Sequence, residues 1–110
     1  MEPSLLIGEQ QIAKVVVERI SRVRGAAVPT RHQAQFTTVG PGVRISGVAV
    51  HRVEGSLNID VELIATLKKQ GSFPILAARV RRMTRQAIQT LTTEHVRRVN
   101  IRITDFHIKD

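Results

Sequence analysis

The chain has 110 residues and no cysteine, and its 17 Lys and Arg against 9 Asp and Glu give a formal net charge of +8 at pH 7. That length supports one hydrophobic core and not two, so residues 1–110 read as a single domain. The missing cysteine excludes disulfides, thiol catalysis and thiolate metal sites and suits a reducing, cytoplasmic setting, while the basic excess favours polyanionic partners.

The N-terminal "MEPSLLIGEQQ" starts acidic, and its apolar run is only Leu5, Leu6 and Ile7. It reads as neither a signal peptide nor a membrane span. A first helix fits residues 9–23, where Ile12, Val16, Ile20 and Val23 form one apolar stripe. Gly25 is placed to stop it. From Ala34 onward the period changes to alternation. "AQFTT" reads as a short strand near an edge, and "GPG" at 40–42 as a turn. In "GVRISGVAVHRV" the pairs Val43/Ile45 and Val48/Val50 fall out of phase across Gly47, the pattern of a β-bulge within one strand.

Glu54-Gly55 then reads as a tight hairpin turn. After it Leu57, Ile59, Val61, Leu63, Ala65 and Leu67 point one way, with Asn58, Asp60, Glu62 and Thr66 pointing the other. That is a long, half-buried antiparallel strand with one solvated face. Ser72 or Phe73 caps a second helix with Pro74 in its first turn. Leu76, Val80, Met83, Ala87 and Leu91 form its core stripe, placing Arg81, Arg82 and Arg85 opposite and Arg79 on the flank. The closing strand alternates Val99, Ile101 and Ile103 with Asn100, Arg102 and Thr104. The order is helix, three antiparallel strands, helix, strand. It predicts an α+β two-layer sandwich with both helices on one face of the sheet.

The residues give little support to catalysis. His32, His51, His95 and His107 contain no i, i+4 pair and have no carboxylate at metal-ligand spacing, so no metal or cofactor is expected. Asp60 and Glu62 share a strand face, which is more simply a solvated one than an acid–base pair. No small-molecule substrate is expected. Nucleic-acid modules fare little better. The G-x-x-G loop is missing, and no stacking aromatic lies on the long strand, since the aromatics are Phe36, Phe73 and Phe106. What remains is charge. Seven arginines and one acid lie between Arg79 and Arg102. Arg81, Arg82, Arg85, Arg97, Arg98 and Arg102 form the candidate basic interaction face, against the simpler reading of a solvated arginine-rich surface.

The run from Gly47 to Phe106 resembles the alkaline shock protein family of bacterial envelope-stress proteins. The resemblance rests on Gly47-Val48, Gly55, Leu57, Ile59, Asp60 and Val61, then Gly71 and Pro74. It continues through Val80, Ile88 and Leu91 to "VNIRI" at 99–103, and the first helix ending at Gly25 extends it over nearly the whole chain. The resemblance implies a small, non-enzymatic cytoplasmic protein, peripheral at the inner face of the membrane. It further implies recruitment by a membrane-anchor protein, and self-association as a homo-oligomer. Two features depart from the family. Gln70-Gly71 stands where relatives have Tyr-Gly, and the chain is basic where many relatives are acidic. The reversal points to anionic lipid as a further partner. The competing reading is sequence-independent nucleic-acid binding through the basic helix face.

Overall fold

The computed structural model describes residues 7–29, 34–40 and 42–109. Its first element, α1 (Glu9–Ile20), opens at Gly8, whose N–H donates to the Gln11 side chain at 3.2 Å. This contact satisfies a backbone group at the helix entrance. Ile12, Val16 and Ile20 are buried, as their spacing predicts, and Ala13 is buried beside them. The helix stops at Ile20, three residues before the expected end at Val23, yet Val23 stays in the core.

The strands follow as β1 (Ala26–Ala27), β2 (Thr37–Gly40), β3 (Val43–Ser46), β4 (Val48–Val53) and β5 (Ser56–Lys68). After α2 (Phe73–Leu91) the described chain closes with β6 (His95–Lys109). The fold is α+β, two helices over a mostly antiparallel sheet, as the periodicity predicts. Strand β5 is its axis. Along one edge it pairs antiparallel with β4 and then with β1; along the other it pairs parallel with β6 over its whole length. Helix α1 packs against β4, α2 against β6, and the two helices against each other. Leu57, Ile59, Val61, Leu63, Ala65 and Leu67, all buried, fill the space between the layers.

The strand expected to run through Gly47 with a bulge is instead two strands in two sheets. Strand β3 pairs only with β2 in a separate hairpin, and the chain turns a corner at Gly47 before joining the main sheet as β4. Gly47 has φ +87°, and a Cβ there would lie 1.9 Å from Val28 Cγ1. Its N–H donates to Phe36 O and its carbonyl accepts from Glu62 N–H, both at 2.8 Å. The corner therefore ties the hairpin to the central strand, and only glycine fits both its dihedral and its space. Thr38 completes the join. Its hydroxyl donates to Val48 O at 2.7 Å and accepts from Val50 N–H at 3.2 Å, occupying the free edge of β4.

At the other end of β4, Glu54 and Gly55 both take positive φ (51° and 79°), forming the tight hairpin turn that the sequence predicts. Ser72 caps α2 by accepting from Ile75 N–H, with Pro74 in the first turn. These local signals were strong enough to fix both boundaries.

Candidate basic interaction surface

The buried face of α2 consists of Leu76, Val80, Thr84, Ala87 and Ile88, with Met83 and Leu91 only half-buried. Relative to the stripe expected from hydrophobicity, its centre is turned by ~30° at 100° per residue. That rotation corrects the placement of the arginines. Arg81 and Arg85 lie on the flank above β6 and bond to it: Arg81 Nε donates to Val99 O at 3.1 Å and Arg85 to Val96 O at 2.8 Å. Arg85 is half-buried rather than exposed. Both arginines cover carbonyls at the start of β6, whose outer edge has no strand beside it among the described residues, one way in which sheet edges are protected from pairing with other chains.

Arg82 faces away from the sheet. With Arg79, Met83 and Gln86 it lines a shallow groove against Val23 and Arg24, at the end of the first helical segment. The remaining expected residues lie elsewhere. Arg98 pairs in register with Asn58, and Arg102 with Glu62, which puts both on the sheet face turned away from the helices. Arg97 falls at a register shift between those ladders. The six arginines thus do not form one face: Arg81, Arg82 and Arg85 lie on the helix side of the sheet, and Arg98 and Arg102 on the other.

The sheet face away from the helices was expected to be solvated, and part of it is not. Glu62 is fully buried, and its Oε1 accepts the N–H of Phe36. The segment leading into β2 crosses over it, a long-range packing choice that strand alternation cannot reveal. Asp60 stays partly exposed, accepting from Asn100 Nδ2 at 2.9 Å with His51 Nε2 at 3.7 Å. Arg102 donates to Gln35 at 3.1 Å, so that arginine too is drawn toward the crossing segment. His32, which has no metal-ligand spacing in the sequence, lies outside the described residues.

The best-buried ion pair joins β4 to the loop between α2 and β6. Arg52 donates from Nε and Nη2 to both oxygens of Glu94, at 2.8 and 2.7 Å. It also donates to the carbonyl of Ile7 and has Glu9 at 3.7 Å. The bidentate geometry holds the Glu94 carboxyl below the usual carboxylate range, chiefly through the Arg52 hydrogen bonds, and raises the Arg52 guanidinium in return. This pair fastens the chain before α1, strand β4 and the entry to β6 at one end of the molecule.

The opposite end carries residues that the sequence reading passed over. Lys68 and Lys109 pair in register at the close of β5 and β6, and with Lys69, Gln70 and Gly71 they line a shallow cleft. Phe106 and Ile108 occupy the helix-side positions of the β6 ladder, next to Ala65 and Leu67, yet both are about half exposed, as is Ile75 in the first turn of α2. Phe106 packs edge-on against Phe73 at 5.2 Å between ring centres. A length mismatch between strand and helix explains this end. A 15-residue strand spans ~50 Å and a 19-residue helix ~28 Å, so the strand must outrun its cover.

No helix among the described residues is long and apolar enough to cross a membrane. Compared with protein-family models, with curated proteins and with solved structures, the chain matches none.

Proposed function

We propose that the protein is a non-enzymatic binding module of the bacterial envelope-stress response, working at the inner face of the membrane alongside an integral anchor protein. The observation that carries this reading is the division of labour between its charges. Glu9, Asp60, Glu62 and Glu94 make contacts between separate elements, and Glu18 and Asp105 are engaged locally with Arg22 and the Phe106 N–H. Lys68, Lys69, Arg79, Arg82 and Lys109 instead face outward on a rigid frame. A surface of this kind serves attraction to an anionic partner rather than proton transfer. The resemblance to the alkaline shock family supplies the cellular setting.

Nucleic-acid binding through the basic helix face is the second reading. It draws on Arg79 and Arg82, because Arg81 and Arg85 are committed to β6 carbonyls.

Fractionation of host cells tests the proposal. The protein is expected with the membrane fraction, in an amount that falls when its integral anchor is deleted, and loss of its gene should sensitise cells to envelope stress. Co-sedimentation with the nucleoid or ribosomes, together with salt-resistant binding to nucleic acid, overturns it.

A further inference from the structure

We propose that the far end of the sheet is itself a lipid contact. Phe106 and Ile108 enter the interface of an anionic bilayer while Lys68, Lys69 and Lys109 meet the lipid phosphates. The inference rests on the membrane-peripheral reading above and goes beyond it, since that reading asks only for a protein anchor.

Four observations converge on this end. The molecule is elongated, 57 Å along its longest axis against 26 and 21 Å across, so one narrow end can meet a plane without burying the body. Of the five exposed large apolar side chains among the described residues, Ile75 at 58 %, Phe106 at 53 % and Ile108 at 52 % cluster near the start of α2 and the close of β6, whereas Val39 on β2 and Val53 on β4 stand apart from one another. Phe106 and Ile108 are two residues apart on one strand face, ~7 Å along the chain, with Phe73 behind Phe106 as a stiff support. Lys68, Lys69 and Lys109 lie at the same narrow end, Lys68 and Lys109 on the other face of the sheet tip from Phe106 and Ile108, and all three are exposed.

Apolar side chains and lysines brought to one narrow end of a sheet are the pattern of an interfacial contact. The rings and branched chains enter the boundary between headgroups and acyl tails, and the long lysine stems carry their charge back to the phosphates. The nearest described acid in sequence, Asp105, is engaged with the N–H of Phe106 at 2.8 Å. Asp110 lies outside the described residues.

The same geometry disfavours the other occupants of such a patch. A second copy adding its strand to β6 would need the outward backbone groups of that edge. Near the start of the strand Val96 and Val99 already give their carbonyls to Arg85 and Arg81, and at the patch itself Phe106 gives its N–H to the Asp105 side chain. A phosphodiester polymer would use the lysines but gain nothing from Ile108.

Co-sedimentation of the purified full chain with two kinds of vesicle tests the inference: phosphatidylcholine alone, and phosphatidylcholine mixed with phosphatidylglycerol. Binding is expected only to the anionic vesicles, and should fall about fivefold for each of Lys68, Lys69 and Lys109 changed to Gln. Phe106→Ser with Ile108→Ser should lower it at least ~10-fold at unchanged charge. Circular dichroism of the same variants checks that they remain folded. The milder Ile108→Ser alone keeps the test valid if the double variant does not.

Three outcomes overturn the inference: no binding to anionic vesicles, binding indifferent to the apolar substitutions, or a dimer in solution that those substitutions dissolve. Failure of vesicle binding leaves the anchor-dependent fractionation result standing, so the two proposals fail separately.

Discussion

The two ends of β6 are built from the same alternating pattern and have opposite fates. Near its start, Val96 and Val99 are buried under α2, and arginines from that helix cover their carbonyls. Near its close, Phe106 and Ile108 continue the same helix-side ladder with little above them. The near end is also fastened by Arg52 and Glu94, whereas the far end is flanked by lysines on a sheet whose other edge is the two-residue strand β1. An apolar residue in the correct phase of a strand is therefore core only where a second layer reaches it.

The largest effect that would sharpen this contrast is a pair of truncations. Ile59→Ala, at the near end, should cost about 2–5 kcal/mol, while Ile108→Ala should stay within about 0.5 kcal/mol. Urea melts of both variants would read the difference directly; equal losses would break the comparison. Next comes the corner between the sheets. Gly47→Ala introduces a Cβ into Val28 at a left-handed dihedral and should cost about 2 kcal/mol or more. A thermal melt of that variant within a few degrees of the parent would contradict the corner geometry.

The ion pair at the near end should matter by about 1–3 kcal/mol, read as the loss in Glu94→Gln, and it carries a definite pH dependence. Because the folded protein holds Glu94 below its ordinary range, the stabilisation is fully present above the unfolded carboxylate pKa. It is lost as pH falls through the lowered folded value. Denaturation of the parent and of Glu94→Gln should therefore differ at neutral pH and converge in acid. A gap that persisted in acid would show that the charge is not its source.

The smallest effects separate arginines that look alike in sequence. Arg81→Ala and Arg85→Ala should each cost about 1 kcal/mol and speed amide exchange along the first half of β6. Arg82→Ala should stay within about 0.5 kcal/mol. If all three behaved alike, the assignment of two of them to the sheet edge would be wrong.

Much of this architecture was readable from local chemistry. The apolar spacing of α1, the clean alternation of β5, the turn at Glu54-Gly55 and the Ser72 cap with Pro74 each follow from short-range rules that the tertiary fold did not override. Where the reading slipped, the deciding contact was distant in sequence. Glu62 sits on the polar phase of β5, but the backbone of Phe36, 26 residues away, covers it and donates to it. Gly47 breaks an alternation in a way that serves a bulge and a corner equally well, and only its contact with Val28 distinguishes them. The basic site was the least legible part. Charge counts found arginines, but the expected stripe left out Thr84 and Ile88, whose burial turns the face and sends Arg81 and Arg85 toward β6.

By itself, then, the sequence determined the α+β class, the two helices, the central strand and the positive surface. Those depend on periodicity, turn dihedrals and composition, which act within a few residues. The tertiary structure alone decided that β6 runs parallel to β5, that the candidate arginines fall on two sides of the sheet, and that the strands outrun the helices. Strand direction, layer separation and cover are properties of how elements meet, and a pattern internal to one element does not contain them.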